Sequence, residues 1–327
     1  MGEEVQISEY EIHQAIDNIS LEFLKSHKIP FSISKIIDLS EKGSSKFTIE
    51  FSINQKGREE KNIDIPDNIK LINYIDNKSR HDLKDIKIKT TIRESNFPLN
   101  FIKNNTICSK TENTRIKNRL IGGGGLLLGK GKSTTHTIGA FLKNKISNDF
   151  FALTVSHGII GNENLYYFDG FFDNNNRRIT NSIGGFKKIN RHIDYALIDI
   201  DNNINHKINS GIKISGTIPH LYSDNMQGEK VKKYGFFSDF TEGIIHSNYC
   251  NESINGQTIN KGLIEVKHQS SSCLFTVDGD SGSLVIDNNN RIVGIVKSRS
   301  RRSEKFSKII PIKQIMDDIN LNLTFNF

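Results

Sequence analysis

From Leu120 onward the chain consists of short apolar runs that are separated by turn residues. Two of the turns have the same Asp-Asn-Asn-Asn sequence, at 173–176 and at 287–290. Short strands divided by Gly, Asn and Asp residues are typical of antiparallel sheets that close into barrels. The second turn predicts that 283–286 pairs with 291–296. After Pro311 the period changes to that of an amphipathic helix, with apolar residues at Ile312, Ile315, Met316 and Ile319.

A serine flanked by glycines stands before one of these strands. The segment Gly279-Asp280-Ser281-Gly282-Ser283 leads directly into Leu284-Val285-Ile286. Glycines let the backbone turn sharply, which exposes the hydroxyl and lets neighbouring N–H groups point at an oxyanion. The same segment also suits a plain hairpin turn, so its interpretation depends on partner residues elsewhere.

Both partners that a nucleophilic serine needs occur upstream. An imidazole must accept the hydroxyl proton, and a carboxylate must orient the imidazole. His157 follows the apolar run 151–155, and Asp194 immediately precedes the run 195–200. Asp199 and Asp201 are rival acids, but neither stands just before the apolar run. The sequence therefore predicts a triad in the order His157, Asp194, Ser281.

Three motifs together resemble those of the chymotrypsin/trypsin-like serine proteases. Within that family they are most similar to bacterial members without disulfides. They are Thr-Val-Ser-His at 154–157, Asp-Tyr-Ala-Leu at 194–197 and Gly-Asp-Ser-Gly-Ser at 279–283, and the resemblance covers residues 118–327. It implies two antiparallel β-barrels with a C-terminal helix. It also implies a serine endopeptidase that works through an acyl-enzyme, without a cofactor, on a protein or peptide substrate. The alternative is a protease-like binding or sensing module whose triad is idle or acts on its own chain.

The resemblance also assigns roles around the serine. The backbone N–H groups of Gly279 and Ser281 would form the oxyanion hole, and Asp280 would orient their loop. Phe275 would form the floor of the specificity pocket, with Thr276 on its wall. Cleavage after Arg or Lys would require an acidic residue at the floor, so trypsin-like specificity is not expected.

Two basic residues follow the strand expected to line the opposite wall of that pocket. If Lys297 and Arg299 face the pocket, an acidic residue at the cleaved position would be favoured. Long basic side chains at such an edge also commonly extend into water. Both interpretations remain open at the level of the sequence.

A possible activation site precedes the first strand of the matched region. The sequence Leu120-Ile121-Gly122-Gly123 follows Arg119 and resembles the segment that becomes the N-terminus of secreted family members. A cut between Arg119 and Leu120 would free an α-ammonium for Asp280, and the chain would then be a zymogen. The alternatives are that the strand is never cut and that nearby backbone N–H groups satisfy Asp280.

Residues 1–95 lie outside the resemblance and predict a small α+β domain with a regulatory or targeting role. Ser8 and Glu11 form a capping-box pattern for a helix that ends near His27. Alternation over 46–53, a Lys-Gly turn and a return over 61–65 predict a hairpin, and 86–92 predicts a further strand. Residues 96–117 predict a linker. A regulatory partner would bind through this domain.

Composition excludes several other classes of function. The net charge of +7 is spread along the chain, and the basic run at 299–302 lacks interleaved aromatic residues, so a nucleic-acid partner is not expected. The glycine-rich stretch 122–133 has Leu126 where a phosphate-binding loop requires glycine. Three cysteines without a Cys-x-x-Cys pair indicate a reducing, cytoplasmic setting and no metal site. No apolar window is long enough to predict a membrane segment.

Overall fold

The structure is a computed structural model, and it describes residues 7–37, 47–53, 62–70, 73–74, 87–94, 125–128, 135–157, 159, 165–172, 178–200, 216–217, 226–253, 256–269, 274–299, 306–319 and 323–325. These residues are mostly β-strand, with one α-helix in the N-terminal part and one near the C-terminus, which confirms the predicted all-β class and C-terminal helix. In chain order the elements are α1 (Glu9–His27), β1 (Phe31–Ile37), β2 (Phe47–Ile53), β3 (Asn68–Lys70), β4 (Lys87–Glu94), β5 (Gly125–Leu128), β6 (Thr135–Thr137), β7 (Ala140–Asn144), β8 (Phe150–Thr154), β9 (Leu165–Phe172), β10 (Arg178–Gly184), β11 (Phe186–Asn190), β12 (Tyr195–Asp199), β13 (Gly216–Thr217), β14 (Lys230–Gly235), β15 (Asp239–Ser253), β16 (Asn260–His268), β17 (Leu284–Asp287), β18 (Arg291–Arg299), β19 (Phe306–Pro311), α2 (Ile312–Ile319) and β20 (Leu323–Phe325).

Six strands in the C-terminal half close into an antiparallel barrel. Their order is β14-β17-β18-β19-β16-β15, and β15 pairs again with β14 to complete the ring. The predicted hairpin is present, because Leu284 pairs with Ile295 across the turn at Asp287. The barrel interior is apolar and includes Val231, Val266, Val285, Val293 and Ile309.

The strands before this barrel form two further sheets. One has four strands in the order β10-β9-β5-β6, and the other has five in the order β11-β12-β8-β7-β20. Helix α2 buries Ile312, Ile315 and Ile319 in a cluster that contains side chains from both halves. The Tyr195 hydroxyl donates to Asp318 Oδ2 at 2.5 Å and fastens α2 to β12. The C-terminal helix thus seals the junction between the two halves.

The N-terminal segment extends the sheet of the C-terminal barrel. Strand β1 pairs with the far end of β15, so that Phe31 faces Ser253 and Ser34 faces Cys250. Strand β2 pairs with β1 and, in parallel, with β4. Helix α1 has the predicted capping box, with Ser8 and Glu11 each bonded to the other's backbone N–H. The strand predicted over 86–92 is present as β4.

The predicted hairpin between 46–53 and 61–65 is wrong. Residues 62–66 are not in a strand, and both edges of β2 are taken by β1 and β4. Ile63 and Ile65 instead pack into the core beneath α1. The alternating pattern correctly predicted that Ile63 and Ile65 are buried. It did not predict which strands pair with β2. The predicted linker lies outside the described residues.

Asp17 of α1 fixes the helix to the barrel strands. Its Oδ1 accepts from the Tyr249 hydroxyl at 2.8 Å and from Asn251 Nδ2 at 2.7 Å, and its Oδ2 lies 3.0 Å from Lys261 Nζ. Asn251 is fully buried, so water could not replace the Asp17 carboxylate as its acceptor if Asp17 were removed. Through these contacts the helix and the barrel share one hydrogen-bond network.

Replacing Asp17 is expected to destabilise the whole molecule and not the N-terminal segment alone. Asp17→Ala should lower the free energy of unfolding by about 1–3 kcal/mol, the cost of stranding buried donors. Urea unfolding followed by far-UV circular dichroism should remain a single transition. Glu22→Ala, an exposed position on the same helix, is the control. An early separate transition in Asp17→Ala would instead support an autonomous N-terminal domain.

Candidate active site

His157 and Asp194 are brought together by two neighbouring strands. His157 follows the end of β8, and Asp194 precedes the start of β12. The strands pair antiparallel, with Thr154 facing Ala196, so the end of one lies beside the start of the other. Asp194 has a φ of 78° and its N–H donates to Asn190 O at 2.8 Å. This left-handed residue closes the turn and aims its carboxylate at His157.

The Asp194 carboxylate holds His157 in place with both oxygens. Oδ2 lies 2.8 Å from His157 Nδ1, and Oδ1 accepts from the His157 backbone N–H at 2.7 Å and from the Ser156 hydroxyl at 3.0 Å. An ionised carboxylate can only accept, so Nδ1 carries the proton and Nε2 of the neutral ring keeps a lone pair. The His157 side chain is 41% exposed whereas that of Asp194 is 5% exposed. The ring is thus oriented for proton transfer at a surface.

Lys297 also contacts Asp194, which corrects its predicted place on the pocket wall. Its Nζ lies 2.6 Å from Asp194 Oδ2, and its side chain is 7% exposed. Burial raises the pKa of Asp194, but the hydrogen bond from His157 and the charge of Lys297 outweigh burial and lower that pKa to about 2. Asp194 is therefore ionised throughout the neutral range. The alternative of a solvated lysine is wrong too.

The serine loop is built as its glycines require. Gly279 and Gly282 have φ values of +96° and +95°. Residues other than glycine rarely adopt such backbone angles. A Cβ on Gly282 would lie 2.1 Å from the carbonyl oxygen of Thr137. The Thr137 N–H donates to Ser281 O at 2.7 Å, and its hydroxyl donates to Gly279 O at 2.9 Å. The loop is thus docked on the end of β6.

The hydrogen bonds of this loop leave two backbone donors available. The N–H groups of Asp280, Gly282 and Ser283 donate to Val277 O, Val296 O and Asp280 O. Within the described part of the chain, those of Gly279 and Ser281 have no acceptor. These are the two donors assigned to the oxyanion hole from the sequence.

The serine loop and His157 both contact strand β6. The serine loop is bonded to Thr137, and the ring of the adjacent His136 lies 5.3 Å from the His157 ring. Among the described residues the Ser281 hydroxyl makes no hydrogen bond, to His157 or to any other group. The hydrogen bond between Asp194 and His157 is therefore formed, while a hydrogen bond between His157 and Ser281 is not. Such contacts often tighten only when a substrate binds.

Asp280 is fully buried, and five donors satisfy its carboxylate. Oδ1 accepts from the N–H groups of Phe237 and Ser238, and Oδ2 from Val277 N–H, the Ser238 hydroxyl and Lys233 Nζ, at distances from 2.6 to 3.2 Å. Lys233 is as buried as Asp280. Asp280 thus already has a cation from within the chain. The predicted activation residues Arg119 and Leu120 lie outside the described residues.

The two residues expected at the floor and wall of the specificity pocket, Phe275 and Thr276, are both buried. Phe275 is completely buried, its carbonyl accepts from the Thr241 hydroxyl, and its ring lies 5.8 Å from Lys233 Nζ. Thr276 is also buried, and its hydroxyl is 2.6 Å from that of Ser307. Neither presents a surface that a substrate could touch. The side chain of Arg299 lies outside the described part.

His136 is a member of the site that the sequence analysis missed. It is 8% exposed, and its ring meets His157 edge-on at an interplanar angle of 89°. Burial, with the charge that His157 can carry, lowers the pKa of His136 to about 4. Both its ring nitrogens lack a hydrogen-bond partner within the described structure. His136 therefore gives the His157 imidazole an uncharged neighbour.

Lys233 could have been found from strand alternation. Val231, Lys233 and Gly235 share one face of β14, and all three are buried. A lysine in phase with interior residues needs a buried acid as its partner. The pattern was readable, but nothing in it identified Asp280 as that acid.

One group of side chains in the described residues has the spacing of metal ligands. Glu50, His246 and Glu265 place three ligand atoms within 4.8 Å of one another, on β2, β15 and β16. Glu265 Oε1 also lies 2.5 Å from Lys308 Nζ. The lysine already compensates one of the two carboxylates, so these contacts are those of an ion-pair cluster. Neither of the two helices is long and apolar enough to cross a membrane.

Comparison with solved structures gives similarity to serine proteases of bacteria. Protease A of Thermobifida fusca has 14% identity and a TM-score of 0.44, covering 64% of this chain and 100% of that chain. The chymotrypsin of Cellulomonas bogoriensis has 17% identity and a TM-score of 0.45 over 64% and 100%. A serine protease described as specific for glutamic acid has 14% identity and a TM-score of 0.46 over 63% and 100%. No protein-family model and no curated protein matches the chain.

Removing the cation beside Asp280 is expected to destabilise the protein. Lys233→Met leaves a buried carboxylate without a counter-charge, which costs about 3–5 kcal/mol. Urea denaturation of the two proteins measures the difference. Lys232→Met, on the opposite and more exposed face of the same strand, is the matched control and should change stability by less than about 0.5 kcal/mol. Equal losses in the two variants would contradict a specific role of the Lys233–Asp280 pair.

Proposed function

We propose that the protein is a serine endopeptidase with His157, Asp194 and Ser281 as its catalytic triad. The observation that carries the proposal is the joint occurrence of two features at β6. One is an imidazole held by a buried, ionised carboxylate at 2.8 Å. The other is a glycine-framed serine loop with two unused backbone donors. A purely structural serine turn would not require a carboxylate-bound imidazole beside the same strand.

The chemistry follows from this arrangement. Ser281 attacks a peptide carbonyl while His157 Nε2 takes the hydroxyl proton, and Asp194 stabilises the imidazolium that forms. The N–H groups of Gly279 and Ser281 receive the negative oxygen. His157 then protonates the leaving amine, and the acyl-enzyme is hydrolysed by a water that His157 activates. This mechanism requires the Ser281 hydroxyl to hydrogen-bond to His157 Nε2 once a substrate is bound.

The first test is covalent labelling with a fluorophosphonate probe together with hydrolysis of a peptide library. Ser281→Ala should abolish labelling and reduce hydrolysis on the order of 10⁴-fold or more, as should His157→Ala and Asp194→Asn for hydrolysis. Ser147→Ala, a surface serine bonded to Asp149, is the control and should behave like wild type. Hydrolysis that persists in Ser281→Ala would refute the site.

A second candidate function is a protease-like binding or sensing module with an idle triad. The missing hydrogen bond between His157 and Ser281 favours it, as does the neutralisation of Asp194 by Lys297. In that case the wild-type protein should resist the probe at every pH while retaining cooperative unfolding. Labelling by the probe at any pH argues against this candidate.

We infer that cleavage after Arg119 is not needed for activity, because Lys233 supplies the cation that a new α-ammonium would otherwise bring to Asp280. Arg119→Gln should therefore be as active as wild type, and intact mass spectrometry should find no new N-terminus at Leu120. Loss of activity in Arg119→Gln, together with a processed wild-type protein, would instead establish a zymogen. Residues 1–95 are proposed to regulate the protease through the sheet they share with it.

A preference for acidic residues at the cleaved position now rests on Arg299 alone, since Lys297 is engaged with Asp194. Profiling the same peptide library with wild type and Arg299→Ala decides whether this preference exists.

A further inference from the structure

Lys297 shares a single carboxylate oxygen with the catalytic imidazole. Its Nζ lies 2.6 Å from Asp194 Oδ2, and His157 Nδ1 lies 2.8 Å from the same atom. The lysine is buried and lies on β18, next to residues that line the core. Among the described residues Asp194 is the only hydrogen-bond partner of the Lys297 side chain, and the contact joins β18 of the C-terminal barrel to the turn before β12.

The charges around His157 can be counted from each element that packs against it. Strand β6 contributes His136, which is neutral, the turn before β12 contributes Asp194, and β18 contributes Lys297. Arg191 and His192, earlier in that turn, are exposed. Among the described residues, the buried surroundings of the imidazole thus hold one negative and one positive charge. Their sum is close to zero.

This sum matters for proton transfer. A lone buried carboxylate favours the imidazolium, since opposite charges attract more strongly where water is excluded. A cation on the same carboxylate oxygen opposes that effect. The shared oxygen therefore stabilises the protonated imidazole less than Asp194 alone would.

We propose that Lys297 is a positioning residue that keeps Asp194 ionised and shifts the working range of the His157–Ser281 pair towards acid pH. The inference rests on the proposed protease function. Lys297 touches neither a substrate nor the reacting atoms, so it acts only through Asp194.

The chain contains a matched structural pair for comparison. Lys308 and Glu265 are both completely buried, with Nζ 2.5 Å from Oε1, and neither contacts the triad residues in the described structure. If Lys297 served only to neutralise a buried acid, the two lysines would respond alike to replacement. Only an effect on the imidazole distinguishes them.

The experiment measures kcat/KM between pH 4 and 9 for wild type, Lys297→Met, Lys297→Gln, Lys297→Arg and Lys308→Met. In both neutral Lys297 variants the pH at which activity is half lost on the acid side should rise by about one unit. Activity at pH 5, expressed as a fraction of each protein's plateau, should then be roughly tenfold lower than in wild type. Lys297→Gln keeps a donor to Asp194 and serves if Lys297→Met fails to fold. Lys297→Arg should retain the wild-type profile.

The control separates tuning from a purely structural role. Lys308→Met should lose stability in urea while its acid limb stays in place. An unmoved acid limb in folded Lys297→Gln would overturn the proposal, whatever happens to stability.

A second readout separates this inference from the proposed function. The ring C–H signals of His157, assigned with His157→Gln, can be titrated by NMR without any turnover. An upward shift of the His157 titration in Lys297→Gln supports the coupling even if the wild type hydrolyses nothing, in which case the protease proposal alone fails. Active wild type with an unshifted titration refutes the role of Lys297 and leaves the triad intact.

Discussion

Pairing of buried carboxylates with buried lysines is the interaction on which the structure most depends. Burying an unpaired charge costs several kcal/mol, so each such acid requires a cation with good geometry. Lys233 meets Asp280 at 3.0 Å, Lys308 meets Glu265 at 2.5 Å and Lys297 meets Asp194 at 2.6 Å. Each lysine joins its own strand to a different element. The pairs are thus charged cross-links, and the last one ties the two halves together beside His157.

A close backbone approach complements these cross-links. A Cβ on Gly139 would lie 2.2 Å from the carbonyl oxygen of Gly282, so the turn after β6 and the serine loop touch directly through backbone. Thr154 adds to the same contact by donating to Thr137 O at 2.8 Å. The serine is thereby positioned by main-chain contacts, which leave its own side chain unengaged. The same main-chain contacts therefore fix the loop and leave the Ser281 hydroxyl free to rotate.

The sequence predicted local features better than long-range ones. The capping box at Ser8, the hairpin around 287–290 and the runs leading to His157 and Asp194 each follow from neighbouring residues, and the structure contains them. The partner of β2 was missed because pairing with β1 and β4 depends on segments distant in sequence. Lys297 was misplaced for a related reason. A single lysine at the end of an apolar strand does not reveal which acid it will meet, since that depends on how the two halves dock.

The pairing of β1 with β15 predicts that the two parts of the chain would stay associated after a cut between β4 and β5. Phe31 to Ser34 lie along Ser253 to Cys250 as part of one continuous sheet, and α1 is bonded to Tyr249 and Asn251. A break between β4 and β5 would sever the covalent chain but none of these bonds. The product would be a two-piece protein whose smaller piece covers an otherwise open strand edge of the larger. Such a chain is suited to being split into fragments that find each other again by strand complementation.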